Sequence, residues 1–250
     1  MRKLYTYIIT SDNGISPCYK GNMYSLACCK PQIRRMIYKL YKEDIDSGNS
    51  NIWIMGIRRD KKNNNQPFIV YLANITKVLN LKEYYDSDDK AYTSRDDCKY
   101  RNLEIIDELP IAMDGDDLRF REYFPKIKAL KNNEHAEFAN INEFYKLDKT
   151  AKKAVMKDIC GRAVLISDKF IHCSQVDINN KYALTEQLNP AFEDLLYEYK
   201  VKNMRCFHGF NLWDEFDNMV SRITFNMNAD IKVLDPRSKL CGGRDKKCPK

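Results

Sequence analysis

The stretch NIWIMGIRRDKKNNNQPFIVYLANITKVLNLKEYY, residues 51–85, decides the fold. It opens with a short apolar run that ends in a glycine and a charged turn, which is typical of a β-strand. The polar segment KKNNNQP follows, and the apolar run FIVYLANITKVL returns as a second strand. The two runs predict a β-hairpin with a long, basic and polar tip. NLKEYYD predicts a short helix with Asn80 as its N-cap, because Asn accepts hydrogen bonds from the free amides of a first helical turn.

The segment upstream of the hairpin predicts a strand, a turn and a helix. LYTYIIT (4–10) alternates polar and apolar residues, and SDNGISP (11–17) supplies turn residues. Pro31 stands at a plausible first helical position. Four apolar residues after it repeat at the spacing of one buried helix face: Ile33, Met36, Ile37 and Leu40. The basic run 28–42 is therefore predicted to lie on a helix face or at a helix N-terminus.

The part of the chain after the hairpin is less regular. Periodicity is weak from residue 86 to about 133, which predicts a long irregular insertion. RAVLISDKFIHCS (162–174) predicts a further strand, and apolar spacing predicts helices over 141–160, 190–200 and 211–223. Together the elements predict an α+β fold: one domain over residues 1–230, built as a small mixed β-barrel or sheet with packed helices.

Charge and composition limit the class of protein. The chain has 250 residues and a formal net charge of +7, and its 44% apolar and 31% charged content is that of a globular protein. Residues 231–250 hold seven Lys/Arg and two Asp, so we interpret them as a basic flexible tail. No uncharged apolar run approaches the ~18 residues of a membrane helix, and the first residues lack a signal-peptide core. We expect an intracellular, cytoplasmic protein with no membrane partner.

The cysteines do not form a recognisable framework. There are nine, with irregular spacing, which predicts reduced thiols. Cys241 and Cys248 are spaced unlike the ligands of a zinc site, and no metal site is predicted. The common nucleotide-triphosphatase, zinc-protease, hydrolase and dinucleotide motifs are absent. No cofactor and no oligomeric state follow from the sequence.

The N-terminal third resembles a family called nucleotide modification associated domain 2, found in viruses and bacteria. That family shows an opening strand ending in D-x-G, a C-K-P-x-I-R box, a Trp-containing strand ending in Gly, and a strand leading into a short aromatic helix. The matching residues here are Asp12, Gly14, Cys29, Lys30, Pro31, Ile33, Arg34, Trp53, Gly56, Tyr71, Tyr84 and Tyr85. The sequence Gly115-Asp116-Asp117 departs from the family's Gly-Asp-Asn element. The order of elements is also similar to that of a PUA-like barrel, a fold that binds nucleic acid and captures modified bases.

The resemblance and the helix N-terminus together point to an anion site. Lys30 and Arg34 stand in the first turn, where free amides and the helix dipole favour a phosphate or an acidic base modification. The alternative is that both side chains pair with surface carboxylates. Trp53 is the candidate that stacks on a base, and Arg58 is a candidate ligand beside it at the hairpin tip. Asp12 either accepts a hydrogen bond from a base edge or caps the following turn.

Three functions are compatible with these residues. The first is a protein that binds nucleic acid or a nucleotide and recognises a modified base. The second is a nucleobase hypermodification enzyme that uses Cys29, or the acidic residues Asp114, Asp116 and Asp117, for chemistry. A buried structural thiol is the more common role of a free cysteine, and we favour it for Cys29. The third is a structural or interaction protein, docked by its basic tail. The Lys- and Asn-rich composition fits an A·T-rich genome, such as that of a virus growing in a host cell.

Overall fold

The computed structural model describes residues 2–9, 16–98, 146, 155, 158–173, 179–186 and 213–223. The strands in this part of the chain are β1 (Arg2–Ile8), β2 (Cys18–Lys20), β3 (Met23–Leu26), β4 (Asn51–Asp60), β5 (Gln66–Ile75), β6 (Lys77–Asn80), β7 (Ala163–Ser167) and β8 (Lys169–His172). The helices are α1 (Pro31–Asp46), α2 (Leu81–Tyr85), α3 (Lys90–Thr93), α4 (Ala183–Glu186) and α5 (Trp213–Ser221).

The strands lie in two sheets of four. The first sheet has the order β1-β4-β5-β8, and the second has the order β2-β3-β7-β6. Strands β1 and β4 run parallel, with α1 in the connection between them, whereas all other pairs are antiparallel. A parallel pair needs such a long crossover, which explains why the helix lies between these two strands in the sequence.

Two bent strand pairs connect the sheets. Thr76 alone separates β5 from β6, and Asp168 alone separates β7 from β8. The Thr76 amide donates to the Ile166 carbonyl at 2.9 Å, and the Asp168 amide donates to the Thr76 hydroxyl at 3.4 Å. The chain therefore turns from one sheet into the other at the same place in both pairs, and this fixes the corner between the sheets.

The α+β class with a mixed sheet and packed helices is confirmed. The two sheets do not close into a barrel within the described residues, so the PUA-like analogy is corrected to an open, two-sheet arrangement. The physical reason is that the chain turns its corner at Thr76 and Asp168 while no described strand pairs with the outer edge of β1 or β2. Most of the insertion 86–133, the helix at 190–200 and the tail 231–250 lie outside the described residues, and the single-domain division stays a prediction.

The hairpin and the helix starts form as local sequence rules require. Strands β4 and β5 pair from Ile52 opposite Ile75 to Asp60 opposite Gln66, which leaves residues 61–65 as the exposed tip. The Asn80 side chain accepts from the Glu83 amide and the Glu83 carboxylate accepts from the Asn80 amide, so α2 begins with the expected cap.

Helix α1 buries a different stripe from the one that we expected. Its buried side chains include Ile33, Ile37, Tyr41 and Ile45, whereas Leu40 is 54% exposed. The buried positions are four residues apart, and the helix packs them against β6 and β7. At the opposite face of the first sheet, α5 places Phe216 edge-on to Trp53, with ring centroids 5.3 Å apart.

Candidate functional site

A row of side chains crosses the first sheet at the level of Gly56. In register, Tyr7 lies beside Gly56, Gly56 beside Tyr71, and Tyr71 beside His172. A Cβ on Gly56 would overlap the Tyr71 ring and the side chain of Ile9. The glycine therefore makes room for the Tyr71 ring in the space between the two sheets.

Four tyrosines meet over this row, and we call them the tyrosine cluster: Tyr7, Tyr19, Tyr24 and Tyr71. The Tyr71 hydroxyl donates to Tyr7, and the Tyr24 hydroxyl donates to Tyr71 at 3.4 Å. The Tyr19 ring lies 5.7 Å from the Tyr71 ring and 4.3 Å from the ring of His172. Each of the four is 4% exposed or less.

The cluster is polar but uncharged at neutral pH. Burial raises the pKa of Tyr7, Tyr24 and Tyr71 well above the usual value, because the phenolate form loses its hydration. Each hydroxyl therefore keeps its proton and remains both a donor and an acceptor. The rings and hydroxyls are buried against one another, so a ligand could meet this cluster only at its edge, beside Lys30.

Lys30 lies at the edge of the tyrosine cluster. Its ammonium is 4.5 Å from the centroid of the Tyr7 ring and donates to the Ile8 carbonyl at 3.0 Å. The side chain is half-buried, and so is that of Cys29. The structure thus brings two of the expected site residues, Cys29 and Lys30, next to a buried aromatic group.

The backbone at this point is strained. Cys29 and Lys30 both have positive φ, 58° and 43°, although neither is a glycine. Such conformations cost about 1–3 kcal/mol each and persist only where the surroundings hold them. The Asp158 carboxylate accepts from the Cys29 amide at 2.7 Å, and Pro31 begins α1 directly afterwards. The strain places the Lys30 side chain over Tyr7 rather than along the helix.

Arg34 is in a different environment from the one that we expected. It is fully buried, and its guanidinium donates to three backbone carbonyls, those of Cys29, Asp158 and Ala163. A Cβ on Gly161 would overlap this guanidinium. The arginine ties the start of α1 to the segment before β7, and this placement argues against the phosphate-binding role.

The other expected ligands lie apart from the cluster. Trp53 is 2% exposed and donates to the side chain of Asn51. It is an odd number of residues from Gly56 along β4, so it belongs to the opposite face of the sheet, under α5. Arg58 is half-buried near the hairpin tip. Asp12 lies outside the described residues, and the binding roles of these residues stay predictions.

The cysteines differ in environment. Cys28 is fully buried and its sulfur contacts the Asp97 carbonyl at 3.7 Å, as in a structural thiol. Burial raises the pKa of both Cys18 and Cys160 to about 12. Cys29 is only half-buried and remains the candidate nucleophile. Of the two histidines that we considered as its base, His172 is buried in the aromatic row and His208 lies outside the described residues.

A buried ionic network was missed at the level of sequence. Asp97 is fully buried and accepts from Ser25 and Tyr84, both at 2.6 Å, and its carboxylate lies 3.8 Å from Arg95. Arg95 also donates to the carbonyls of Cys18, Lys20 and Met23. The network attaches the segment after α3 to the β2–β3 hairpin. Its role is structural, because the charges are satisfied inside the protein.

Two further features of the described ranges concern metal ions and membranes. No group of three or more His, Cys, Asp or Glu in those ranges is arranged to hold a metal ion, and Asp114, Asp116 and Asp117 lie outside them. None of the described helices combines the length and the apolar character that crossing a membrane requires.

Comparison with known proteins found one similarity, in the N-terminal part of the chain. The sequence model of nucleotide modification associated domain 2 matches residues 1–104. Neither the curated proteins nor the solved structures contain a match to this chain. The matched residues include β1 to β6, helices α1 to α3, Lys30 and the whole tyrosine cluster. Residues 1–104 of this chain are therefore similar to the nucleotide modification associated domain 2 family, as the sequence resemblance predicted.

Proposed function

We propose that this protein binds nucleic acid or a nucleotide and recognises a modified base at the edge of the tyrosine cluster, beside Lys30. The family's name associates the domain with nucleotide modification. The observation that carries the proposal is the position of the Lys30 ammonium, 4.5 Å over the Tyr7 ring on a strained, left-handed backbone. Strain of this kind is concentrated at ligand-binding and catalytic sites.

The chemistry of the site suits a base that carries an anionic or polar group. A tyrosine ring offers a stacking surface, which is worth about 1–3 kcal/mol for each stacked base. The neutral hydroxyls of Tyr7, Tyr24 and Tyr71 bond to one another inside the cluster, so a base meets the Tyr7 ring beside Lys30 rather than the hydroxyls. The Lys30 ammonium offers a compact positive charge to a phosphate or to an acidic substituent.

The start of α1 adds to this positive potential. Lys30 is the N-cap residue of α1, but its side chain forms no capping hydrogen bond with the first turn. The first turn contains no acidic residue. The dipole of this 16-residue helix adds positive potential near the ammonium, and the Asp158 carboxylate on the Cys29 amide offsets part of it. An anion at this position is stabilised by the ammonium and by the helix dipole, whereas a neutral base is stabilised by the aromatic rings alone.

Binding of the full chain to short DNA and RNA oligonucleotides, plain and base-modified, tests the proposal. Fluorescence anisotropy over a salt series is expected to show a preference for one modified base that persists at high salt. Lys30→Ala is expected to weaken that binding about tenfold, the loss of one charged contact. Lys39→Ala removes the same charge from an exposed position on the same helix and is expected to bind like wild type. Equal affinities for Lys30→Ala and Lys39→Ala would contradict the site.

The same experiment distinguishes the proposed function from the two alternatives, a docking tail and an enzyme. Loss of all binding on deletion of residues 231–250 would favour the docking tail, because the tyrosine cluster is untouched by that deletion. Conversion of the modified oligonucleotide, detected by mass spectrometry and abolished in Cys29→Ser, would favour the enzyme. Binding with a base preference, no turnover and no dependence on the tail is the result that we expect.

A further inference from the structure

The tip of the β4–β5 hairpin is a basic surface next to the proposed site. Four cationic residues and one carboxylate stand within five positions, 58–62, and we call these residues the basic tip. Lys61 and Lys62 are exposed, and Arg58 and Arg59 are half-buried. A surface of this composition attracts anions, but lysines in solvent alone do not make a built site.

The carboxylate of the basic tip is already neutralised. Asp60 forms an ion pair with Lys181 and accepts a hydrogen bond from the Tyr182 hydroxyl at 2.7 Å. It also accepts from the Lys62 amide at 3.1 Å. Asp60 therefore attaches the segment before α4 to the hairpin and does not serve as the counter-ion of Arg59.

Arg59 has donors without acceptors. Its Nε and Nη2 atoms are covered from solvent, and no acceptor in the described part of the chain reaches either of them. Burying charged donors unpaired is costly, so these two donors need a water, an ion or a ligand to complete them. Nε and Nη2 form one edge of the guanidinium, the edge that holds two oxygens of a phosphate side by side. The Arg59 side chain as a whole is half-buried, so part of it reaches the surface.

Arg59 lies at the same end of the sheet as Lys30. The Lys30 ammonium donates to the Ile8 carbonyl, and Ile8 pairs in register with Ile57. Arg59 is two residues beyond Ile57 on β4, about 7 Å at roughly 3.3 Å per residue. Arg59 is three residues from Gly56 on β4, so its side chain leaves the face opposite the tyrosine cluster, and a strand bound at Lys30 reaches it by passing over the end of the sheet.

We propose that Arg59 binds a backbone phosphate of a nucleic-acid strand, so that the ligand class is a polynucleotide rather than a free nucleotide. This inference rests on the proposed function, because it takes the base to lie beside Lys30. One phosphate at Arg59 and one base beside Lys30 define two points on one strand. The exposed lysines of the basic tip then add attraction without fixing the position of the strand.

A single-stranded DNA oligonucleotide and the matching mononucleotide, titrated into the full chain, test the inference. Arg59→Ala is expected to weaken oligonucleotide binding about tenfold and to reduce the slope of log K against log salt by about 0.7, the value for one phosphate contact on a single strand. Its mononucleotide affinity is expected to stay unchanged. Lys62→Ala removes the same charge from an exposed position and is expected to cost less than threefold, with unfolding in urea as the check that each variant is folded.

Three results would overturn the phosphate-binding role of Arg59. The first is an Arg59→Ala protein that loses no more oligonucleotide affinity than Lys62→Ala. The second is an Arg59→Lys protein with full affinity, because lysine keeps the charge but cannot hold two oxygens side by side. The third is a mononucleotide that binds as tightly as the oligonucleotide. If Lys30→Ala loses binding while Arg59→Ala does not, only this inference fails; if Arg59→Ala alone loses binding, the proposed base site fails and the phosphate site stands.

Discussion

The guanidinium of Arg34 fills the space in which a side chain on Gly161 would lie. It cannot move aside without losing its hydrogen bonds to three backbone carbonyls. Gly161→Ala is therefore expected to lower the free energy of unfolding by about 1–3 kcal/mol, the usual cost of overpacking a core. Urea denaturation of the full chain measures this change.

A double-mutant cycle identifies the cause of that loss. In an Arg34→Met background the guanidinium is absent, so Gly161→Ala is expected to cost clearly less than it does in the wild type. Additive effects of the two substitutions would show that Gly161 is required for some reason other than its contact with Arg34.

Asp60 makes the stability of the fold depend on pH. Hydrogen bonds from Lys181 and Tyr182 lower the pKa of its carboxyl from 3.8 to about 2. Because the folded pKa lies below the unfolded one, the carboxylate stabilises the fold above about pH 4, and this contribution is lost as the pH falls toward 2. Asp60→Asn is expected to cost at most about 1 kcal/mol at pH 5.

The difference between wild type and Asp60→Asn in urea unfolding should shrink between pH 4 and pH 2. Asp214→Asn, an exposed carboxylate on α5, serves as the control. A difference that stays constant from pH 5 to pH 2 would mean that the ion pair with Lys181 does not form in solution.

The cysteines are expected to react in the order of their exposure. The thiolate is the reactive form, and burial holds the pKa of Cys18 and Cys160 near 12. Iodoacetamide at pH 8 should therefore modify the half-buried Cys29 at least tenfold faster than either, as read by peptide mass spectrometry. In urea the three rates should converge; equal rates in the folded protein would contradict the burial of Cys18 and Cys160.

Local signals predicted the hairpin, its tip and the α2 cap, because the residues that form them are close in sequence. The buried face of α1 shows where such signals end. Ile33 and Ile37 belong both to a stripe that repeats every three or four residues and to a stripe that repeats every four. We predicted the first stripe, which places Leu40 in the core. Packing on β6 and β7 selects Tyr41 instead, and a helical period alone does not contain that information.

The site residues show the same limit more strongly. Arg34 binds carbonyls 124 and 129 residues away, and Arg95 binds carbonyls 72 to 77 residues away. A backbone carbonyl is the same at every position, so no residue type in the sequence marks these partners. The resemblance singled out Lys30 and Cys29, which lie at the edge of the tyrosine cluster, but it gave no means to distinguish a buried arginine from a ligand-binding one.

The central claim is that the strained position of Lys30 serves a ligand rather than the fold. Glycine adopts the left-handed conformation without the penalty that lysine pays, about 1 kcal/mol or more. Lys30→Gly relieves that strain and removes the ammonium, whose contact with Tyr7 is worth about 0.5–1 kcal/mol. The two effects oppose each other, so the free energy of unfolding is expected to stay within about 1 kcal/mol of wild type, and above that of Lys30→Ala.

The most direct test is therefore to measure the urea stability and the modified-oligonucleotide affinity of Lys30→Gly side by side with wild type. We expect a protein that is as stable as wild type, and that binds the modified oligonucleotide about tenfold more weakly and without preference for the modified base. A Lys30→Gly protein that keeps both the affinity and the preference would contradict the central claim. So would one whose binding falls only because it has unfolded.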